Sequence, residues 1–373
     1  MTDDTLPEPD RVEGAPHPRD TPRLFGQDAA QRDFLEAFNS DRLHHGWLIT
    51  GPRGTGKATL AWAIARFLLA TPPDDGGGLF GAPPPAETLA IPEDHPTARR
   101  MRAGSEPGLF VLRRPVDEKT KRLRQMITVE EARKLKGFFA LSSADGGRRV
   151  VIVDSADEMN PSAANAILKI LEEPPARTTM LLVSHQPSRL LPTIRSRCRE
   201  LRLVPLSPAD ISAALDQAGV DAEASADTLA ALAAGSAGEA VRLANLGGAA
   251  IYAELVRLFE TLPRLDRAHA IALAEAAAVR GAEDRRDLMN TLTDLFLMRL
   301  ARTGAMGAPP LPEAAPGEAA LMARLAPDAR AARNWASAAQ EIGARARHGR
   351  AVNLDPAAMI LDTVFRIQKT AAG

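Results

Sequence analysis

Residues 51–59 read GPRGTGKAT. Gly51, four further residues, then Gly56 and Lys57 have the spacing of a phosphate-binding loop. Glycines there let backbone N–H groups turn inward around an anion, and the lysine reaches the outer phosphates. The loop residues Gly51, Pro52, Arg53, Gly54, Thr55, Gly56, Lys57, Ala58 and Thr59 are therefore the first candidate site. One of them breaks the pattern. The residue after the lysine should be Ser or Thr, whose hydroxyl holds magnesium, but here it is Ala58. Thr59 comes one residue late, and one residue on a helix is a rotation of ~100°, so it does not take that place. Two readings stay open: a nucleotide-binding loop, and a loop kept for strand–helix packing.

The flanks favour phosphate-loop ancestry. HGWLITG before the loop reads as a short buried strand, and Leu60, Ile64, Phe67 and Leu68 after it mark one face of a helix. Further on, RRVVIVDSADEMN gives a second strand, Val150–Val153, ending in Asp154. A continuous β-branched run suits a parallel strand buried on both faces. Asp154 stands where a magnesium-supporting carboxylate belongs. Asp157 and Glu158 are expected to cap the next turn and face solvent. Asn160 and Pro161 open a helix that Pro174 ends. TTMLLVSHQ is a third strand. Strands alternating with helices predict an α/β fold with a parallel sheet.

RLLPTIRSRCREL follows closely on that third strand. An arginine placed there can reach across an interface to a neighbour's γ-phosphate, so Arg197 is the candidate catalytic residue, while Arg195, Arg199 and Arg202 are expected to be solvated. Cys198 reads as a small packing residue.

The rest of the chain bounds the answer. Its 373 residues suggest two or three domains at ~150 residues each. A net charge of −1 gives no global signal for nucleic acid. The one cysteine rules out an intramolecular disulfide or a multi-cysteine metal site, and a reducing cytoplasm is the expected compartment. Residues 1–22 are acidic and Pro-rich, with no signal-peptide core, and predict a disordered tail. No apolar run is long enough to span a bilayer, so no membrane partner is expected. The sheet domain should cover 23–206, with an irregular insertion at 71–108. Helical patterns follow over 207–247 and 248–373, the second broken by a loop at 303–317. Thr128 and Glu131 fit a capping box. Residues 99–124 carry nine Arg and Lys against three acidic residues. They are either a DNA-phosphate patch or, as weighted here, a solvated face.

HHGWLITGPRGTGKAT, VVIVDSADEMNPSAANAILKILEEPP and LLPTIRSRC, in this order, resemble the AAA+ clamp-loader subunits of bacterial DNA polymerase III. NAILKILEEPP and the Ser196–Arg197–Cys198 triplet are the specific parts. The resemblance covers about residues 23–246 and extends more loosely to the C-terminal helices. It implies a P-loop AAA+ domain, a small helical lid and an all-α oligomerising collar. It also implies gamma/tau and delta subunits as partners, with the sliding clamp and primer-template DNA reached through the complex. Motor subunits of this family carry a Glu after the Asp154 position and an arginine in the lid helix. Here those places hold Ser155 and Gly238–Glu239; Arg242, one turn on, reads as a surface residue. With Ala58, these departures resemble the family's stator-type subunits, whose own site is impaired. ATP or ADP with magnesium is then expected to bind weakly or not at all, with little intrinsic ATPase, and Arg197 would serve ATP on an adjacent motor subunit. The family's four-cysteine zinc module has no counterpart in 71–108, so no zinc is expected. An active gamma/tau-like ATPase and a pure scaffold remain the alternatives.

Overall fold

The structure is a computed structural model and describes residues 7–40, 42–71, 84–140, 147–222, 224–279 and 281–373. Compactness divides the chain into two units, Met1–Gly219 with Ser236–Gly238, and Val220–Gly235 with Glu239–Gly373.

The first unit is built on one five-stranded sheet. Its strands are β1 (Gly46–Thr50), β2 (Leu109–Arg113), β3 (Arg149–Asp154), β4 (Thr178–Val183) and β5 (Arg199–Arg202), in the order β2-β3-β4-β1-β5, every pair parallel. The three inner strands β1, β3 and β4 are the most buried, and their sequences are the continuous apolar runs read above. Helices α1 (Asp28–Asn39) and α2 (Lys57–Ala70) cover one face, against Trp47, Ile49, Val150 and Ile152. Helices α4 (Val129–Ala140), α5 (Pro161–Glu172) and α6 (Pro192–Arg195) cover the other, against Leu48, Val151 and Val153. The alternation is the two-residue period of a pleated strand. Asn160 caps α5 by accepting from Ala163 N at 2.8 Å, and Ser207 caps α7 (Pro208–Ala218) in the same way. Glu131 of α4 pairs with Lys134 at 2.7 Å.

Two sequence expectations need correction. Of the tail predicted to be disordered, residues 7–22 are described and packed: the Asp10 side chain is 1% exposed, His17 is 3% exposed, and Pro18–Asp20 form a 3₁₀ turn. Of the insertion at 71–108, residues 72–83 lie outside the described residues. The remainder carries buried Leu89 and a short helix, α3 (Pro96–Arg102), whose Thr97, Ala98 and Met101 point inward. Five of the nine basic residues in 99–124 are paired: Arg100 with Glu106, Arg102 with Glu93 and Asp20, Arg113 with Glu8 and Asp10, Arg114 with Glu158, and Arg124 with Asp117.

The second unit is helical: α8 (Ala226–Ala233), α9 (Ala237–Asn245, its first two residues in the first unit), α10 (Gly248–Glu260), α11 (Arg267–Ala278), α12 (Glu283–Met306), α13 (Glu318–Leu325), α14 (Ala329–Ala351) and α15 (Pro356–Ala371). Helix α12 runs four residues into the predicted loop, which narrows to 307–317. Glu318, 1% exposed, organises that loop. It accepts from Arg299 at 2.7 and 3.0 Å, from the Ala314 amide at 2.6 Å, and from the Tyr252 hydroxyl, while Arg299 also donates to the carbonyls of Pro310 and Pro312. Removing one member of a buried, hydrogen-bonded ion pair strands the other charge, at a cost of about 3–5 kcal/mol. Glu318→Ala should lower the stability of the helical unit by that order in urea unfolding, and an unchanged midpoint would contradict the arrangement.

Candidate functional site

The carboxyl ends of the inner strands meet at the phosphate loop. Chain direction puts the loop after β1, Asp154 at the end of β3 and His185 just after β4. This is the end of a parallel sheet where ligands bind. Gly54 and Gly56 have φ of +74° and +94°, conformations that other residues adopt only at a cost, so the loop turns as the motif requires.

The loop's polar groups are satisfied from within the protein. Lys57 is 3% exposed; its Nζ donates to the Gly51 carbonyl at 2.8 Å and to that of Pro52. Burial lowers its pKa to about 8, against the opposing pull of Asp154 and Asp157. The Thr55 hydroxyl donates to Pro52 O at 2.9 Å. The Gly54 carbonyl accepts from Gly238 N at 3.2 Å, and a Cβ at Gly54 would collide with the Ser236 hydroxyl. Gln27 ties the loop to the chain beyond β5, donating to Thr55 O and Val204 O and accepting from Val204 N. Ala58 packs its methyl against the α1–α2 core, and Arg53 is mostly exposed, with Glu158 at 3.6 Å. Glu158 itself is held between Arg53 and Arg114, so it is not simply a solvent-facing cap.

Asp154 is buried and accepts from Ser155 Oγ at 3.0 Å. Burial pushes its carboxyl up to about 7, and the nearby Asp10 carboxylate adds to the rise, while the Ser155 hydrogen bond and Lys57 oppose it. Ser155 Oγ also lies 3.0 Å from His185 Nε2. His185 went unnoticed in the sequence, although the polar ending of the strand TTMLLVSHQ falls between two site-bearing strands. Burial, with Lys57 and Arg53, holds its pKa down to about 4, so it is neutral. A Ser–His contact invites a nucleophile reading. Two facts oppose it: the imidazole is a weak base, and Asp157 accepts from the His185 backbone N–H at 3.0 Å.

Arg197 is not brought to this loop. It follows α6 and precedes β5, and its carbonyl lies beside Gly46, the first residue of β1. The phosphate loop leaves the other end of β1, after Thr50. Four steps along the strand separate Gly46 from Thr50 by ~13 Å. The guanidinium is part-exposed, donates to Thr193 O at 3.0 Å and pairs with Glu172 at 3.1 Å. Cys198 packs against the α4–α5 core, and burial pushes its thiol up to about 12. Arg199 lies over the Trp47 ring at 5.2 Å, which corrects its reading as a purely solvated residue. Arg242 pairs with Glu239 at 3.2 Å.

Residues 26–207 match the family model described as DNA polymerase III, delta subunit. Over this segment, just under half of its length, the chain is similar to DNA polymerase III delta and delta-prime subunits. It is 43% identical over 154 residues to the delta-prime subunit of Pseudomonas aeruginosa, 41% of each chain. It is 30% identical over 227 residues to that of Bacillus subtilis, 61% of this chain and 62% of the relative. The chain thus spans about half the length of the curated relatives it matches. A solved gamma subunit-related protein of Thermotoga maritima covers 91% of this chain and all of its own at 17% identity, with a TM-score of 0.43. The sheet domain is α/β, with a parallel five-stranded sheet and the glycine loop after β1. Among the described residues no helix is long and apolar enough to cross a membrane.

The raised pKa of Asp154 has a consequence for stability. The folded state holds this proton up to about pH 7, whereas the unfolded chain releases it near 3.8. Stability from this group is therefore full below that lower value and is lost as pH rises through the folded pKa, at no more than about 1.4 kcal/mol per pH unit. Asp154→Asn should flatten the fall in stability between pH 4 and 7 in nucleotide-free unfolding curves. An unchanged slope would mean that Asp154 is ionised throughout.

Proposed function

We propose that this chain is the delta-prime, stator-type subunit of a DNA polymerase III clamp loader. Its role is to assist ATP-dependent loading of the sliding clamp onto primed DNA beside gamma/tau and delta subunits. It presents Arg197 to ATP on an adjacent motor subunit and turns over little or no nucleotide itself. The observation that carries this reading is the separation of Arg197 from the chain's own phosphate loop, at opposite ends of β1. An arginine in the family's specific triplet, part-exposed and turned away from its own site, suits an interface.

The residues around the loop fit a magnesium nucleotide poorly. Ala58 has no hydroxyl for the metal, Ser155 supplies no carboxylate, Lys57 is spent on loop carbonyls, and Gly238 rather than a cation meets Gly54. What remains for this chain to do is positional. The Glu172 and Thr193 contacts hold Arg197 without burying it. A γ-phosphate, with more negative charge than one carboxylate, can draw the guanidinium across.

An arginine finger is worth ~10³–10⁵ in rate at the site it serves. In a loader reconstituted with clamp and primed DNA, Arg197→Ala in this chain alone should cut steady-state ATPase at matched assembly. Arg197→Lys should restore little of it, because a point charge does not reproduce the planar fork. An unchanged rate in an intact complex would leave only the scaffold role.

A further inference from the structure

The N-terminal segment lies against the metal side of the phosphate-loop site. Asp10, its side chain 1% exposed, accepts from Arg113 Nη1 at 3.0 Å and from the Trp62 indole N–H at 3.2 Å, with His17 Nε2 at 3.2 Å. These partners triangulate its position. Arg113 is the strand-end neighbour of Asp154 in the β2–β3 register. Residues 109, 111 and 113 of β2 and 150, 152 and 154 of β3 lie on the α2 side of the sheet, by the alternation of the pleat. Trp62 lies one helical turn after Ala58, and helical side chains lean towards the N-terminus, so its indole overhangs the face where the missing hydroxyl would stand. Asp10 thus sits between the strand end that carries Asp154 and the helix face that carries Ala58. Burial works to raise its pKa, but His17, Arg113 and Trp62 outweigh burial and hold the carboxyl down to about 2, a fixed anion.

The same segment is fastened at further points. Glu8 accepts from Arg113 at 2.8 Å and pairs with Arg19; the Arg19 carbonyl accepts from buried Arg66 of α2 at 2.6 Å; His17 stacks edge-on against Trp62 at 5.5 Å. Between these anchors the chain passes over the loop. A Cβ placed on Gly238 would lie 3.4 Å from Val12 and 3.3 Å from Gly54, so Val12, Gly238 and Gly54 form one stack.

We propose that residues 8–20 are a built-in strap that holds the phosphate loop in its self-satisfied form, so that strap docking and nucleotide binding compete. This rests on the reading that the chain's own site is inert and gives it a cause beyond the missing ligands. To bind phosphate, Lys57 must turn out of the loop and Gly238 must leave Gly54; Val12 backs the second movement, and Asp10 adds a fixed negative charge on the side the phosphates would approach.

The test is titration calorimetry of magnesium–ADP into the full chain, comparing wild type with Asp10→Asn, Val12→Gly and the double variant. Circular dichroism and melting confirm that each is folded. Deleting residues 1–20 is the blunter variant, and the substitutions stand if it fails to fold. The double variant should bind at least about tenfold more tightly than wild type, with the gain lost on Lys57→Ala. In wild type, nucleotide at binding concentration should shift the Trp62 indole N–H resonance away from its Asp10-bonded position. Affinities equal across folded variants would overturn the strap, as would nucleotide binding to wild type with that resonance unmoved. Turnover of ATP by the wild-type chain alone would instead sink the inert-site reading and leave the competition to be judged on affinity.

Discussion

A buried ammonium group must find acceptors, and Lys57 finds them in the carbonyls of Gly51 and Pro52. That one choice sets the character of the site. In a loop that holds phosphate, the lysine points outward and the anion repays its desolvation. Here it points inward, and burial lowers its pKa because two carbonyl dipoles are weaker compensation than a phosphate. The loop then behaves as a structural joint. Gln27 fastens it to the chain beyond β5, Gly238 closes on Gly54, and α2 starts from it at Lys57.

The charges around the joint follow from the same closure. Asp154 keeps its place at the strand end and is buried there. Burial and the Asp10 carboxylate favour its protonated form, and Lys57 is too occupied to reverse this. Ser155 links Asp154 to His185, which the cations Lys57 and Arg53 help to keep neutral. The cluster is a hydrogen-bonded relay in which burial favours the uncharged forms of both Asp154 and His185. Its cost is local and is offset by the apolar clusters on either face of the sheet.

The sheet was legible because its inner strands need apolar residues on both faces, and Trp47–Ile49, Val150–Val153 and Met180–Val183 are continuous runs. β5 escaped because it is an edge strand: in Arg199–Arg202 only Leu201 is buried, and one residue makes no pattern. The helix face Leu60, Ile64, Phe67 and Leu68 was readable from its spacing, yet Trp62 and Arg66 on the same helix are also buried. A helix covered beyond one stripe needs a second partner, and that was the available sign that the N-terminal segment packs. Composition misled there because Glu8, Asp10, His17 and Arg19 look solvated one by one. Glu8 and Asp10 converge on Arg113, more than a hundred residues away, and hold His17 and Arg19 into the same network; a pairing of that range leaves no local signal.

Position along β1 connects the two halves of the functional reading. A parallel strand has two unlike ends. The carboxyl end carries the phosphate loop, and the amino end, through its pairing with β5, carries the turn with Arg197. A rigid strand keeps these apart, so a chain of this fold offers a nucleotide cradle at one end and an arginine at the other. If subunits of this kind stack, each arginine meets the next cradle. In the stator role proposed above, the chain needs the arginine and not the cradle, which is compatible with Ala58 and Ser155 in the loop and strand end. A loop closed on itself by Lys57, Gly238 and the strap is stiffer than an empty one waiting for nucleotide. Stiffness is what a fixed partner must contribute if the neighbour's site is to close against Arg197 rather than push it away.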